Sequence, residues 1–254
     1  MELGLGGRRA IVTGGSKGLG LAIAAELIAE GAQVRICARN ADEVAAAVAT
    51  LGDGAAGRAV DVRDGDQLAQ FVEWAAEDMG GIDILVNNAG GAHPGTFETL
   101  TEDALVADFN VKVLSWFRAV KDALPWLKAS EAARVVNIGS VFAEDPDYRF
   151  LSTSVNRAAG LNLTRTLAQE LAKYGVLVNV VNIGSVKTPQ WANIHAKRAP
   201  EKSEEQFFAD QSAAIPLGRF GEPDEVAGIV AFLASDRASY ISGASIDVAG
   251  GGSI

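Results

Sequence analysis

The strongest constraint on this chain is the run Thr13-Gly14-Gly15-Ser16-Lys17-Gly18-Leu19-Gly20. An apolar stretch, Ala10-Ile11-Val12, leads into it. Beyond it Leu21, Ala24, Ala25, Leu27 and Ile28 fall at spacings that share one helical face. The order is strand, glycine turn, helix. A turn this tight needs positive φ angles, which glycine adopts without steric cost. The same glycines let a bulky anion approach the backbone, and the helix start offers free N–H groups and a positive dipole end. That combination suits a pyrophosphate. An ordinary strand-to-helix turn would use the same residue types, so the rest of the chain has to decide.

The chain alternates short strand-like runs with helical patterns. Val34–Ala38 reads as a second strand, followed by a helix from Ala41 to Thr50. Arg58-Ala59-Val60 reads as a third strand ending at Asp61, and Gln67 to Met79 as a helix carrying Leu68, Phe71, Val72 and Ala75 on one face. Ile82–Val86 is a fourth strand and Thr101 to Leu127 a long helix. Arg134–Ile138, a helix from Ser154 to Tyr174, and Val176–Val181 follow. A helix from Pro223 to Ser235 and a strand from Ser245 to Val248 end the series. This alternation predicts an α/β fold with a parallel sheet covered on both faces. Ligands in such sheets sit beyond the carboxyl ends of the strands.

The 254 residues, 48% hydrophobic, suffice for one large core without a linker or repeat. Cys37, the one cysteine, reads as a buried core residue. A net charge of −10 argues against nucleic acid or an anionic membrane as partner. No apolar run reaches the ~18 residues of a membrane span, and Met1-Glu2-Leu3-Gly4 lacks a basic segment leading into an apolar one. A cytoplasmic location is expected.

Further pieces recur at strand ends: Asp61-Val62, Asn87-Asn88-Ala89-Gly90, Asn110 in the long fourth helix, and Ser140 after the fifth strand. Asn182-x-Gly184 with Thr188-Pro189, Pro216-Leu217-Gly218-Arg219 with Gly221-x-Pro223, and Ser242-Gly243 leading to Asp247-x-x-Gly250-Gly251 complete the set. In this order, with the glycine run, they resemble the short-chain dehydrogenase/reductase family, of the 3-oxoacyl-ACP ketoreductase-like kind, over essentially the whole length. The resemblance implies a single doubly wound Rossmann domain over residues 1–254 with a seven-stranded sheet. It also implies a nicotinamide cofactor, a substrate lid over 188–213, and a homotetramer or dimer built from the two long helices and the C-terminal strand. It assigns cofactor contacts to Gly14, Ser16, Lys17, Gly18, Leu19, Gly20, Arg39, Asp61, Val62, Asn88, Ala89, Gly90, Arg157, Gly184, Val186 and Thr188. In the family the side chain at Asp61 contacts the adenine amino group; an N-cap for the next helix would suit Asp equally well.

A carboxylate at the end of the second strand favours NAD, and a cation favours NADP. Ala38-Arg39-Asn40 offers no acid before Asp42, and Lys17 sits in the glycine run. Two cations near a 2′-phosphate point to NADP(H) over NAD(H).

The departure from the family lies at the chemistry. The usual site is Ser, then Tyr thirteen residues later, then Lys four further on. Here Ser140 is followed at those positions by Thr153 and Arg157. A phenol beside a cation can approach neutrality from a pKa of about 10, whereas an alcohol is a far weaker acid and arginine does not give up its proton. Ser140, Thr153, Arg157 and Asn110 are the expected catalytic residues, with the proton donor missing or moved. His93 and Tyr148 are candidates for that donor, and plain loop residues would look the same. Ile183, where the family has proline, predicts a less stiff bend beside the nicotinamide.

Within the lid Trp191, Phe207 and Phe208 suggest an apolar substrate pocket, although an amphipathic helix explains them too. Lys197, Arg198 and Lys202 could meet an acidic carrier or simply face solvent. The leading expectation is an NADP(H)-dependent oxidoreductase acting on a small or acyl-type carbonyl or alcohol. The alternatives are a non-redox hydratase or eliminase on the same scaffold, or an inactive dinucleotide-binding or assembly protein. Nothing here calls for a metal.

Overall fold

A computed structural model describes residues 2–252, apart from the side chains of Asn193, Lys197 and Arg198. Seven strands form one parallel sheet: β1 (Arg9–Thr13), β2 (Gln33–Ala38), β3 (Ala55–Ala59), β4 (Ile84–Asn87), β5 (Arg134–Ser140), β6 (Leu177–Ile183) and β7 (Ser245–Val248). Their order is β3-β2-β1-β4-β5-β6-β7. The chain winds one way from β1 to β3 and the other way from β4 to β7. The crevice between β1 and β4, where the winding reverses, is the ligand position of such sheets.

Helices α1 (Gly18–Ala29), α2 (Ala41–Leu51) and α9 (Pro223–Ala234) cover one face. Ile23, Leu27, Val226 and Val230 pack there against Val12, Ile36 and Val86. Helices α3 (Gly65–Met79), α5 (Ser115–Ala129) and α6 (Leu151–Leu171) cover the other. Phe71, Val72, Ala123, Leu127 and Leu171 meet Ile11, Leu85, Val135 and Val178. Strands buried on both faces explain the nearly continuous apolar runs.

Three expected elements differ from what is observed. The third strand begins at Ala55 and ends at Ala59, so Val60 and Asp61 follow it. Pairing to β2, from Val34↔Ala55 to Ala38↔Ala59, recruits Ala55-Ala56-Gly57 despite their weak strand propensity. The long helix from Thr101 is broken. Thr101 caps α4 (Glu102–Phe109), a π turn occupies Asn110–Leu114, and α5 then runs past Pro125. The Ser115 N–H reaches back five residues to the Asn110 carbonyl, which is the hydrogen bond of a π turn. At Ile183, where a bend was expected, the strand does not end. Without proline, β6 continues through Ile183, in register with Ser140 on one side and Val248 on the other. The lid region holds α7 (Pro189–Arg198) and α8 (Glu204–Ser212). No described helix is long and apolar enough to cross a membrane.

Candidate active site

The glycine run lies in the turn from β1 to α1. Gly14 and Gly18 take φ angles of 68° and 55°. A Cβ on Gly20 would stand 2.2 Å from the Gly14 carbonyl oxygen, and one on Gly14 would stand 2.9 Å from Ala89 Cα. The turn is therefore a backbone cradle that no side chain can fill. Asn88 braces it: its amide donates to the carbonyls of Thr13 (2.9 Å) and Gly14 (3.1 Å). The Thr13 hydroxyl in turn accepts from the N–H groups of Asn88 and Ala89. No side chain caps α1, whereas Asn40, Asp64 and Thr101 cap α2, α3 and α4. The first N–H groups of α1 remain for an anion. The loop after β6 closes the far side. Thr188 and Pro189 lie against Gly18, Val186 is buried, and a Cβ on Gly184 would stand 2.9 Å from Ala249. Gln190 Oε1 accepts the Ala92 N–H at 3.4 Å, joining the lid to the loop after β4.

The two cations at the expected 2′-phosphate position have an acidic neighbour. Lys17 Nζ donates to Glu43 at 2.8 Å, and Ser16 Oγ donates to the same carboxylate at 3.4 Å. Lys17, and Arg39 at longer range, hold the Glu43 carboxyl below its usual range. Arg39 is exposed. Asp61 does not cap α3; Asp64 does. Asp61 instead chelates the Arg63 guanidinium, which lowers its pKa, so the capping reading of Asp61 is corrected. Val62 is buried behind it.

Beyond the crevice, β5 delivers Ser140, whose hydroxyl oxygen accepts the Phe142 N–H at 3.3 Å. Asn110 opens the π turn, half-buried. On α6, Arg157 Nη1 donates to the Ile138 carbonyl at 2.6 Å, and its Nη2 lies beside Gly90. Burial pulls the Arg157 guanidinium down to about 10. Its buried Nε has no partner among the described residues. The glycine cradle and the Arg157 Nη2 beside Gly90 fit a nicotinamide dinucleotide lying from Gly14 toward Gly90.

Thr153 is buried and belongs to a network that the sequence reading missed. Its Oγ1 accepts from Lys112 Nζ at 2.9 Å and from the His93 N–H at 2.9 Å. Lys112 is fully buried and also donates to Asp108 Oδ2 at 2.9 Å. That oxygen accepts from the Ser152 hydroxyl (2.7 Å) and the Asn156 amide (3.1 Å) as well. Burial, aided by the charge of Arg157 and opposed by Asp108, pushes the Lys112 ammonium down to about 8. Burial works to raise the Asp108 carboxyl, but Lys112 and the two neutral donors outweigh it and hold it low. Lys112 stands on the stripe Lys112-Trp116-Ala119-Ala123-Leu127, whose other members form the buried face of α5. A lysine on that stripe, four residues after an aspartate, was the available signal.

The other donor candidates lie apart. Tyr148 is 77% exposed on its loop. His93 meets Thr153 through its backbone rather than its ring. In the lid, Trp191 and Phe208 each pack edge-on to Phe220, and Phe207 is buried between them. These aromatics form the core of the lid itself, as an amphipathic helix would. Lys202 pairs with Asp210 at 2.6 Å, and the side chains of Lys197 and Arg198 lie outside the described residues. Cys37 is buried, and desolvation raises its thiol to about 12, beyond reactive range.

Residues 14–253 match the family described as Enoyl-(Acyl carrier protein) reductase. The 3-oxoacyl-[acyl-carrier-protein] reductase FabG of Vibrio cholerae is 32% identical, over 98% of each chain. A short-chain oxidoreductase of Pseudomonas aeruginosa PAO1, described as containing an atypical catalytic center, is 37% identical in its apo structure, with a TM-score of 0.92 over 98% of each chain. L-sorbose reductase of Gluconobacter frateurii, in complex with NADPH and L-sorbose, is 29% identical with a TM-score of 0.96, over 100% of this chain and 99% of that one. The chain belongs to the short-chain dehydrogenase/reductase family and is an oxidoreductase acting on C=O or CH–OH groups.

Proposed function

We propose that the chain is an NADP(H)-dependent ketoreductase, preferring NADP(H) to NAD(H), for a small or acyl-type carbonyl. Bound in the crevice, the reduced nicotinamide supplies the hydride. The backbone cradle at Gly14, Gly18 and Gly20 holds the pyrophosphate, with Ser16 and Leu19 at the same helix start. Arg39 and Lys17 face the 2′-phosphate, competing there with Glu43. Asp61 and Val62 flank the adenine. Asn88 acts by stapling the cradle, and Ala89 and Gly90 leave room for the ribose. Arg157 presents its Nη2 beside Gly90 at the ribose, and Gly184, Val186 and Thr188 wall the nicotinamide end. Ser140 and Thr153 orient the substrate oxygen, with Asn110 beside them. Residues 1–254 act as one domain with 188–213 as the lid.

The observation that carries this reading is an unfillable backbone cradle at the start of a helix with no side-chain cap, where the strand order reverses between β1 and β4. The relatives support it: FabG is named for 3-oxoacyl reduction, and a further structure of the Pseudomonas oxidoreductase is NADPH-bound. A homo-oligomer through α4, α5 and α6 is part of the proposal, because Val106, Phe109, Phe117 and Val155 stand exposed there. The test is calorimetry with NADPH and NADH, then NADPH oxidation across a panel of ketones and acyl thioesters. Tight NADPH binding with turnover is expected. Binding without any turnover would refute the reductase.

A further inference from the structure

We infer that Glu43 sets the coenzyme choice of this chain: its carboxylate is the acceptor for the adenosine ribose hydroxyls of NAD(H), and the charge that the 2′-phosphate of NADP(H) has to displace. This rests on the ketoreductase reading above and adds NADH as a second coenzyme. In sheets of this kind an acid at the end of the second strand holds the ribose. Here β2 ends at Ala38 and Arg39 follows, so that position carries a cation. The carboxylate returns one helical turn later. Glu43 stands in the first turn of α2, and its side chain crosses to the glycine run, where it accepts from Lys17 Nζ at 2.8 Å and from the Ser16 hydroxyl at 3.4 Å. The Gly14 and Gly15 N–H groups donate to the Cys37 carbonyl at 2.7 and 3.1 Å, so the turn after β1 and the end of β2 form one corner. Lys17, Arg39 and Glu43 interact at that corner.

Helix α2 does not need this acid. Asn40 caps it through the N–H groups of Asp42 and Glu43, and Asp42 already places a carboxylate in the same first turn, where the helix dipole favours one. What sets Glu43 apart is its bond to the glycine run. That bond is also loose: the Lys17 and Glu43 side chains are 60% and 39% exposed, and exposed ion pairs are weak. The pair holds Lys17 over the corner in the nucleotide-free protein, yet yields to a ligand that bonds the ammonium better.

The two coenzymes meet this corner differently. A 2′-phosphate, with about two negative charges, bonds Lys17 and Arg39, and Glu43 then faces it as a like charge. A ribose 2′-hydroxyl brings no charge. It is a donor, and Glu43 accepts from it without losing Lys17, because a carboxylate has room for several donors. Glu43 thus subtracts from NADPH binding and adds to NADH binding. Lys17 and Arg39 still favour NADP(H), but by a narrowed margin, and the chain reduces its carbonyl with either coenzyme.

The test is calorimetry with NADPH and NADH on wild type, Glu43→Gln and Asp42→Asn, at low and high salt, with KM for each coenzyme as a second readout. Removing the Glu43 charge should tighten NADPH by about threefold to tenfold at low salt, from relief of Coulomb repulsion across a solvated corner, and by less at high salt. It should weaken NADH by about threefold or more, through loss of the charged acceptor. Asp42→Asn should move neither by more than about twofold. The opposite signs are decisive, since an acid that merely steadied α2 would shift both coenzymes the same way. A Glu43→Gln variant that shifts both in one direction, leaves either unchanged, or is matched by Asp42→Asn overturns the assignment and leaves the reductase standing. So does a wild type that binds NADPH but not NADH. A wild type that binds neither nucleotide overturns the NADP(H) reading and this one with it.

Discussion

The buried lysine makes a stability prediction that needs no substrate. In the unfolded chain Lys112 has its ordinary pKa of 10.5, and in the folded chain burial lowers it to about 8. Between those values the unfolded state binds the extra proton, so stability rises with pH. The penalty for Lys112 is fully present below pH 8 and gone above 10.5. At pH 7 it amounts to about 3 kcal/mol, and at pH 9.5 to about 1 kcal/mol, taking ~1.36 kcal/mol per pKa unit. Raising the pH from 7 to 9.5 therefore relieves about 2 kcal/mol. Lys112→Met lacks this relief, and its Asp108 keeps the Ser152 and Asn156 donors. Asp108 stays ionised across the window, and Arg157, lowered to about 10, lies at its upper edge. At ~2–4 °C per kcal/mol for a chain of this size, the melting temperature of wild type relative to Lys112→Met should climb by about 4–8 °C from pH 7 to 9.5. Scanning calorimetry of both proteins in matched buffers measures it. A difference constant within about 1 °C, or one that shrinks, would refute the buried ammonium.

Replacing Lys17 and Arg39 together by Gln should weaken NADPH far more than NADH by calorimetry; equal losses would remove both from the 2′-phosphate. Glu43→Gln should act in the opposite sense, strengthening NADPH most at low salt, because it frees Lys17 and removes a negative charge from the site. Gly20→Ala drives a Cβ into the Gly14 carbonyl. It should cost about 1–3 kcal/mol of stability and at least tenfold in nucleotide affinity, and unchanged binding would mean that the cradle does not hold the pyrophosphate.

The parallel sheet, its coverage on both faces and the placement of the glycine run were legible because strict alternation of short apolar runs with amphipathic helices leaves few topologies. The misses share a cause. Ala55-Ala56-Gly57 has no strand signature, and only the neighbouring edge of β2 makes it a strand. Ile183 is marked in the sequence by the proline it replaces, whereas in the sheet it pairs with neighbours on both sides. Asp61 was a reasonable cap by type, but the turn places Asp64 at the helix start. The pairings of Glu43 and Lys112 were hidden for a related reason: each meets its partner across the fold, Glu43 reaching Lys17 from α2 and Lys112 reaching Thr153 from the π turn. The aligned motif directed attention to the positions that had changed and away from the residue packed against them.

The substitutions at 153 and 157 make chemical sense only when taken with Lys112. Arginine at 157 retains a donor for the cofactor but surrenders proton exchange, since its guanidinium holds its proton even at about 10. Threonine at 153 is too weak an acid to replace a phenol, but its oxygen meets the lysine of the neighbouring π turn. Both cations are buried, and Lys112 donates to the Thr153 hydroxyl. Asp108 limits the cost of holding two cations there, and the π turn that carries Lys112 begins one residue after α4 ends. The changes at 153 and 157 thus fall beside a buried Asp108–Lys112 pair that ties α4 and the π turn to α6, while the glycine cradle keeps its tight backbone geometry.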